Sequence, residues 1–180
     1  MKLINTREDF LKSYPKKLKM AEIGVFKGDF SKKIFEICEP SELFLIDIFD
    51  GIMGSGDKNG QNMEYINLGE HYRLLKEHFS NNSEVKLMKG LSSDSMKSIP
   101  DNYLDFIYID ADHEYDSVKK DLEISFEKVL SNGYISGHDY EINRFPGVVK
   151  AVSEFCLKYN QEIEALTQDG LPSYFIKIKK

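Results

Sequence analysis

Along most of this chain, short apolar runs take turns with longer segments whose apolar residues recur every three or four positions. Few folds accommodate that order. KMAEIGV (19–25), ELFLIDIF (42–49), EVKLMKG (84–90), YLDFIYID (103–110), GYISGHD (133–139), EIEAL (162–166) and YFIKIK (174–179) have the length and composition of buried strands. Between them, DFSKKIFEIC (29–38), MEYINLGEHYRLLKEHF (63–79), SSDSMKSI (92–99), YDSVKKDLEISFEKVL (115–130) and GVVKAVSEFCLKY (147–159) carry helical periodicity. Strand–helix alternation predicts a parallel sheet with helices on both faces. The last two strands are joined only by TQDGLPS, too short for a crossover helix, so the final strand must run reversed. At 180 residues the chain is expected to form one domain spanning 1–180.

In an open parallel sheet, ligands sit beyond the carboxyl ends of the strands, where the winding reverses. The residues predicted there are Glu22, Gly24, Asp47, Gly90, Asp110, His138 and Asp139. A run of loops needs turn residues, but it does not call for carboxylates at four strand ends. In AEIGVFKGDFS (21–31), Gly24 and Gly28 lie between a strand and a helix. There, glycine lets the backbone approach a ligand and the helix start offers unsatisfied N–H groups. A tight strand-to-helix turn needs the same glycines. Phe26 stands where a dinucleotide fingerprint would have its middle glycine, which argues against a nicotinamide-dependent oxidoreductase. Asp47 follows about twenty residues later, at the spacing of a ribose-binding acid.

Taken together, Glu22-x-Gly24-x-x-x-Gly28, Asp47, KGLSSDS (89–95), FIYIDADHEYDSV (106–118) and NGYISGHDY (132–140) resemble, in order and spacing, a class I S-adenosylmethionine-dependent methyltransferase. The likeness is greatest to the small-molecule O-methyltransferases, a group that includes macrocin-type sugar methyltransferases and the catechol and caffeoyl-CoA enzymes. It implies a Rossmann-like, doubly wound α/β sheet of seven strands in the order 3-2-1-4-5-7-6. It also implies S-adenosylmethionine as cofactor, with Gly24 and Gly28 along its methionine part, Glu22 near its amino group, Asp47 on the ribose, Ser92 near the adenine and Asp110 also among the cofactor-binding residues. In relatives with a serine two residues after the second glycine, this chain has Phe30, with Ser31 next.

The resemblance further implies a divalent metal, magnesium or manganese, on Asp110 and Asp139 with His138 as a third ligand, and His113 as general base. The chemistry is coherent. A divalent cation on oxygen ligands acidifies a substrate hydroxyl, and an imidazole titrating near neutrality takes the proton. Glu114 and Asp116 are instead expected to face solvent and favour the start of the following helix. His71 and His78 are two helical turns apart, roughly 10 Å along the axis, too far to share a metal. The glycine-rich segment 50–62 is expected to be a mobile, substrate-contacting loop at the catalytic edge.

A net charge of −6 argues against a broad basic surface for nucleic acid, and no apolar stretch is long enough to span a membrane. Cys38 and Cys156 lack metal-ligand spacing and fit reduced thiols in a cytoplasmic protein. The expected partner is a small-molecule substrate, with a homodimer as one way to complete its pocket. The competing expectation is an inactive, methyltransferase-like module that binds cofactor and regulates a partner.

Overall fold

The computed structural model describes residues 1–55 and 64–180. The chain opens with β1 (Lys2–Ile4), α1 (Arg7–Ser13), β2 (Lys19–Ile23), α2 (Asp29–Cys38) and β3 (Glu42–Asp47). A hairpin of β4 (Ile52–Ser55) and β5 (Glu64–Asn67) precedes α3 (Leu68–His78) and β6 (Val85–Lys89). Then come α4 (Ser92–Ser95) with a 3-10 turn at Met96–Ser98, β7 (Leu104–Ile109), α5 (Tyr115–Lys128) and β8 (Val129–Gly137). The chain closes with α6 (Pro146–Tyr159), β9 (Ile163–Thr167) and β10 (Tyr174–Lys177).

Eight strands form one sheet in the order β1-β9-β10-β8-β7-β2-β3-β6. From β6 to β9 this is the predicted 3-2-1-4-5-7-6 arrangement. β10 runs antiparallel to both neighbours, while β8, β7, β2, β3 and β6 are mutually parallel. The eighth strand, β1, was not foreseen; it pairs in parallel with β9 and covers an otherwise open edge.

Three further differences have local causes. EYIN (64–67), read as part of a helix, instead forms β5, because Ile52–Ser55 offers it an antiparallel partner. The helix starts at Leu68, where the Asn67 side chain accepts the Glu70 amide at 3.1 Å. β8 begins at Val129, four residues before the predicted start, because α5 passes directly into it. Of segment 50–62, residues 52–55 form β4, and the predicted loop at 56–62 lies outside the described residues.

The strands are buried on both faces, so alternate residues belong to different cores. Ala21, Ile23, Phe44, Ile107, Ile109 and Ile135 pack beneath α5 and α6. Met20, Leu43, Leu45, Phe106 and Tyr108 face α1 and α2, with Phe10 stacked on Phe175 at 3.8 Å. Slipping β2 or β7 by one residue would exchange these two sets and force each side chain into a core shaped for the other, at about 1–3 kcal/mol for each overpacked position. That fixes the register, and with it which residues arrive at the carboxyl edge.

Candidate active site

The glycine turn leaves β2 between β3 and β7, where the sheet order reverses. Gly24 sits at φ +88°, and a Cβ there would lie 2.2 Å from the Asp110 carbonyl oxygen. The turn therefore rests directly on the end of β7, and the Asp110 amide bonds the Ile23 carbonyl at 2.7 Å. Gly28, at φ +78°, caps α2 and abuts Leu75 of α3.

Asp47 grips this turn from β3. Its Oδ2 accepts the Val25 and Phe26 amides at 2.8 and 2.9 Å, and its Oδ1 accepts the Phe49 amide at 2.9 Å. A carboxylate has about four acceptor positions, so one remains for an outside hydroxyl. Glu22 lies beneath the turn, 1% exposed, with the Ser31 hydroxyl donating to it. Burial outweighs that bond and pushes its pKa to about 8, so the carboxyl is mainly neutral at pH 7. Ser92, the first residue of α4, donates its hydroxyl to Asp121 of α5, whose burial raises its pKa to about 6.

Asp110, His113, His138 and Asp139 converge beyond β7 and β8 around a small cleft. His113 Nε2 lies 2.7 Å from Asp139 Oδ2, and the imidazole packs on Phe145 with ring centroids 4.5 Å apart. His138 Nδ1 is 3.3 Å from Asp139 Oδ1 and 3.7 Å from Asp110 Oδ1. Asp139 is 4% exposed and holds a left-handed backbone, φ +58°, which a non-glycine residue adopts at some cost.

Electrostatics separates the two aspartates. Burial raises the pKa of Asp110, reinforced by the neighbouring charge of Asp139 and opposed by His138 and Arg7. Burial also disfavours charge on Asp139, but its bond to His113 and the nearby His138 prevail and hold it well below the usual carboxylate range. In return, the bond to Asp139 raises the pKa of His113 despite partial burial.

The donor set suits a divalent cation. Single ligand atoms of Asp110, His113 and Asp139 can lie within 4.8 Å of one another. Asp139 Oδ1 is buried with no hydrogen-bond partner among the described residues, and His138 Nδ1 lies off the line such a bond would need. Two carboxylates and an imidazole fit manganese or a softer ion as readily as magnesium.

One participant escaped sequence reading. Arg7, from α1, reaches this edge: its Nη1 donates to the Tyr108 hydroxyl at 2.9 Å and to Asp110 Oδ2 at 3.3 Å. Asp112 ties the turn before α5 to its first turn, accepting the Glu114 amide at 2.8 Å and the Ser117 hydroxyl at 2.9 Å. Asp112 was visible as a turn acid, whereas nothing near Arg7 in sequence links it to a strand 103 residues away. Glu114 and Asp116 face solvent as expected. Cys38 is buried, Cys156 half-buried, and both are free thiols.

A family described as methyltransferase domain matches residues 21–140, from the start of the glycine turn to the residue after Asp139. The chain belongs to the methyltransferase-domain family. S-Adenosylmethionine is the cofactor of that family, and the protein is accordingly an S-adenosylmethionine-dependent methyltransferase. Solved structures agree on the fold. The O-methyltransferase NovP superposes with a TM-score of 0.68 at 18% identity, covering 97% of this chain and 80% of NovP. A putative rRNA methylase from Clostridium thermocellum gives 0.68 at 13% identity, covering 100% and 99% of the two chains. Spermidine synthase from Thermotoga maritima gives 0.59 at 14%, covering 94% of this chain and 55% of that one. A search of curated protein sequences finds no match. Among the described residues of this methyltransferase, no helix is long and apolar enough to cross a membrane.

Proposed function

We propose that this methyltransferase modifies a hydroxyl group of a small molecule, a sugar or natural-product intermediate, with the help of a divalent cation. The observation that carries the reading is the 2.7 Å contact between His113 Nε2 and the buried Asp139 carboxylate, three residues past the strand-end Asp110. If Nε2–H donates to Asp139, the lone pair of the neutral ring sits on Nδ1, and the substrate proton is taken there. Asp139 then stabilises the imidazolium and fixes the ring's orientation, as Phe145 does by packing.

Gly24 and Gly28 admit the methionine part of the cofactor, with Glu22 near its amino group. Asp47 offers its remaining acceptor position to the ribose, and Ser92 lies toward the adenine. The bound cofactor supplies an electrophilic methyl group on a sulfonium. Asp110, Asp139 Oδ1 and His138 Nδ1 would hold a cation, which when bound makes the substrate hydroxyl more acidic. His113 is kept as base rather than ligand because its Nε2 is already committed to Asp139 Oδ2. Beyond these groups, the site's contribution is to hold the hydroxyl and methyl in line. The net charge of −6 favours a small acceptor over nucleic acid.

Two measurements test this. Calorimetry with S-adenosylhomocysteine, with and without magnesium or manganese, is expected to give micromolar binding. Transfer to a panel of sugar hydroxyls is expected to fall about 10²–10⁴-fold in His113→Ala. Full transfer by that variant would remove the base assignment, and transfer indifferent to a chelator would remove the cation.

A further inference from the structure

Arg7 occupies the cofactor edge with no part in the chemistry above. Its guanidinium carbon lies 3.8 Å from the centre of the Phe30 ring and 5.5 Å from that of Tyr108. Tyr108 is itself held by Ser173, hydroxyl to hydroxyl at 2.8 Å, and its ring packs on Phe30 at 4.5 Å. The Arg7 side chain is 22% exposed and rests on an aromatic platform at the start of α2. Both of its hydrogen bonds leave from Nη1, and the contact with Asp110 is single and 3.3 Å long. Nη2 and Nε have no hydrogen-bond acceptor among the described residues. A guanidinium is a planar fork suited to two parallel bonds with a carboxylate, and half of this one is unused.

The cofactor ends in an α-amino acid, with an ammonium and a carboxylate on one carbon. The reading above sets the ammonium toward Glu22, and the Gly24 turn rests on the end of β7, so the carboxylate comes close to the Asp110 charge. That approach is repulsive unless a cation lies between them. At the start of α2, Asp29 and Phe30 have no side-chain donor to offer it, the Ser31 hydroxyl is turned to Glu22, and Lys32 pairs with Asp29 at 3.7 Å. We propose that Arg7 binds the α-carboxylate of the cofactor through the unused edge of its guanidinium, with Phe30 and Tyr108 setting its position. This rests on the cofactor placement argued under the proposed function. It also gives α1 a role in selecting ligands that carry a whole amino-acid group.

Calorimetry with two ligands tests it: S-adenosylhomocysteine, and its decarboxylated counterpart S-adenosyl-3-thiopropylamine, which keeps the nucleoside, thioether and amine. The wild type is expected to prefer the first by about tenfold to a hundredfold. Arg7→Gln should lose that factor on S-adenosylhomocysteine while changing the amine's affinity by less than about twofold. Arg7→Lys keeps the charge but not the fork and should fall between; should Arg7→Gln fail to fold, an unchanged preference in Arg7→Lys overturns the proposal. Equal weakening of both ligands by Arg7→Gln also overturns it, because Arg7 would then act only through Asp110. A wild type that binds both ligands equally removes this proposal alone. A wild type that binds neither removes the cofactor placement as well.

Discussion

At Gly24 a single added methyl would lie 2.2 Å from the carbonyl oxygen of Asp110, a separation that real Cβ atoms do not show. The partner is backbone, so it cannot swing aside as a side chain would. Relief requires moving either the glycine turn, proposed above to admit the cofactor, or the strand end that delivers Asp110. The φ of +88° adds backbone strain of about 1–2 kcal/mol for any L-residue. Gly24→Ala is therefore expected to lower stability by about 2 kcal/mol or more and to weaken S-adenosylhomocysteine at least about tenfold. Thermal melting and calorimetry on the same preparation check both. A variant that melts like the wild type and binds normally would show that β7 and the turn are not in contact. Gly28 differs, because the Cβ there would meet the flexible Leu75 side chain.

Among the elements, α1 is the one that brings Arg7 to the end of β7 and that the sequence pattern reveals least. It is seven residues long, and β1 before it has three, both too short for a period to register. Its start signal is nonetheless present: Thr6 accepts the Asp9 amide at 3.2 Å, with Glu8 and Asp9 in the first turn. The long strands and helices were legible because burial on two faces or one imposes a period over many residues. The order of the seven strands followed from that alternation together with the family resemblance. Strand ends likewise exposed Glu22, Asp47, Asp110 and Asp139 as candidates. What the chain order hides is pairing across the sheet, such as His113 with Asp139 or Arg7 with Asp110, because those contacts exist only once β7, β8 and α1 are docked. Replacing Thr6 by Ala should cost about 1 kcal/mol, confined to the first turn of α1. Hydrogen exchange is the appropriate readout. The amides of Asp9 and Phe10 should lose protection, while those of β2 and β7 keep theirs. Uniform loss across the sheet would mean that α1 is part of the global folding unit rather than a locally opening one.

At the scale of the molecule, a buried carboxyl at the point where the sheet reverses makes stability depend on pH in an unusual direction. Glu22 titrates near 8 when folded and, by its ordinary value of 4.5, well below that when unfolded. Between those values the folded chain binds the extra proton, so stability is fully present below about 4.5 and falls as pH rises toward 8. Each unit of difference corresponds to about 1.4 kcal/mol, so the total is several kcal/mol, comparable to the whole stability of an ordinary domain. Asp121, raised to about 6, and His113, raised by Asp139, act in the same sense. Asp139, whose pKa is lowered, acts in the opposite sense, and its contribution is lost only in strong acid. The wild type is therefore expected to unfold at progressively lower urea concentration from pH 5 to pH 8. Glu22→Gln keeps the shape and the bond to Ser31 but cannot ionise, so its urea midpoint should fall less steeply, most visibly between pH 6 and 8. Parallel profiles for the two proteins would mean that Glu22 ionises at neutral pH in the folded chain. On the cofactor placement proposed above, the ammonium would then meet a formed carboxylate beneath the turn, rather than inducing one as it binds.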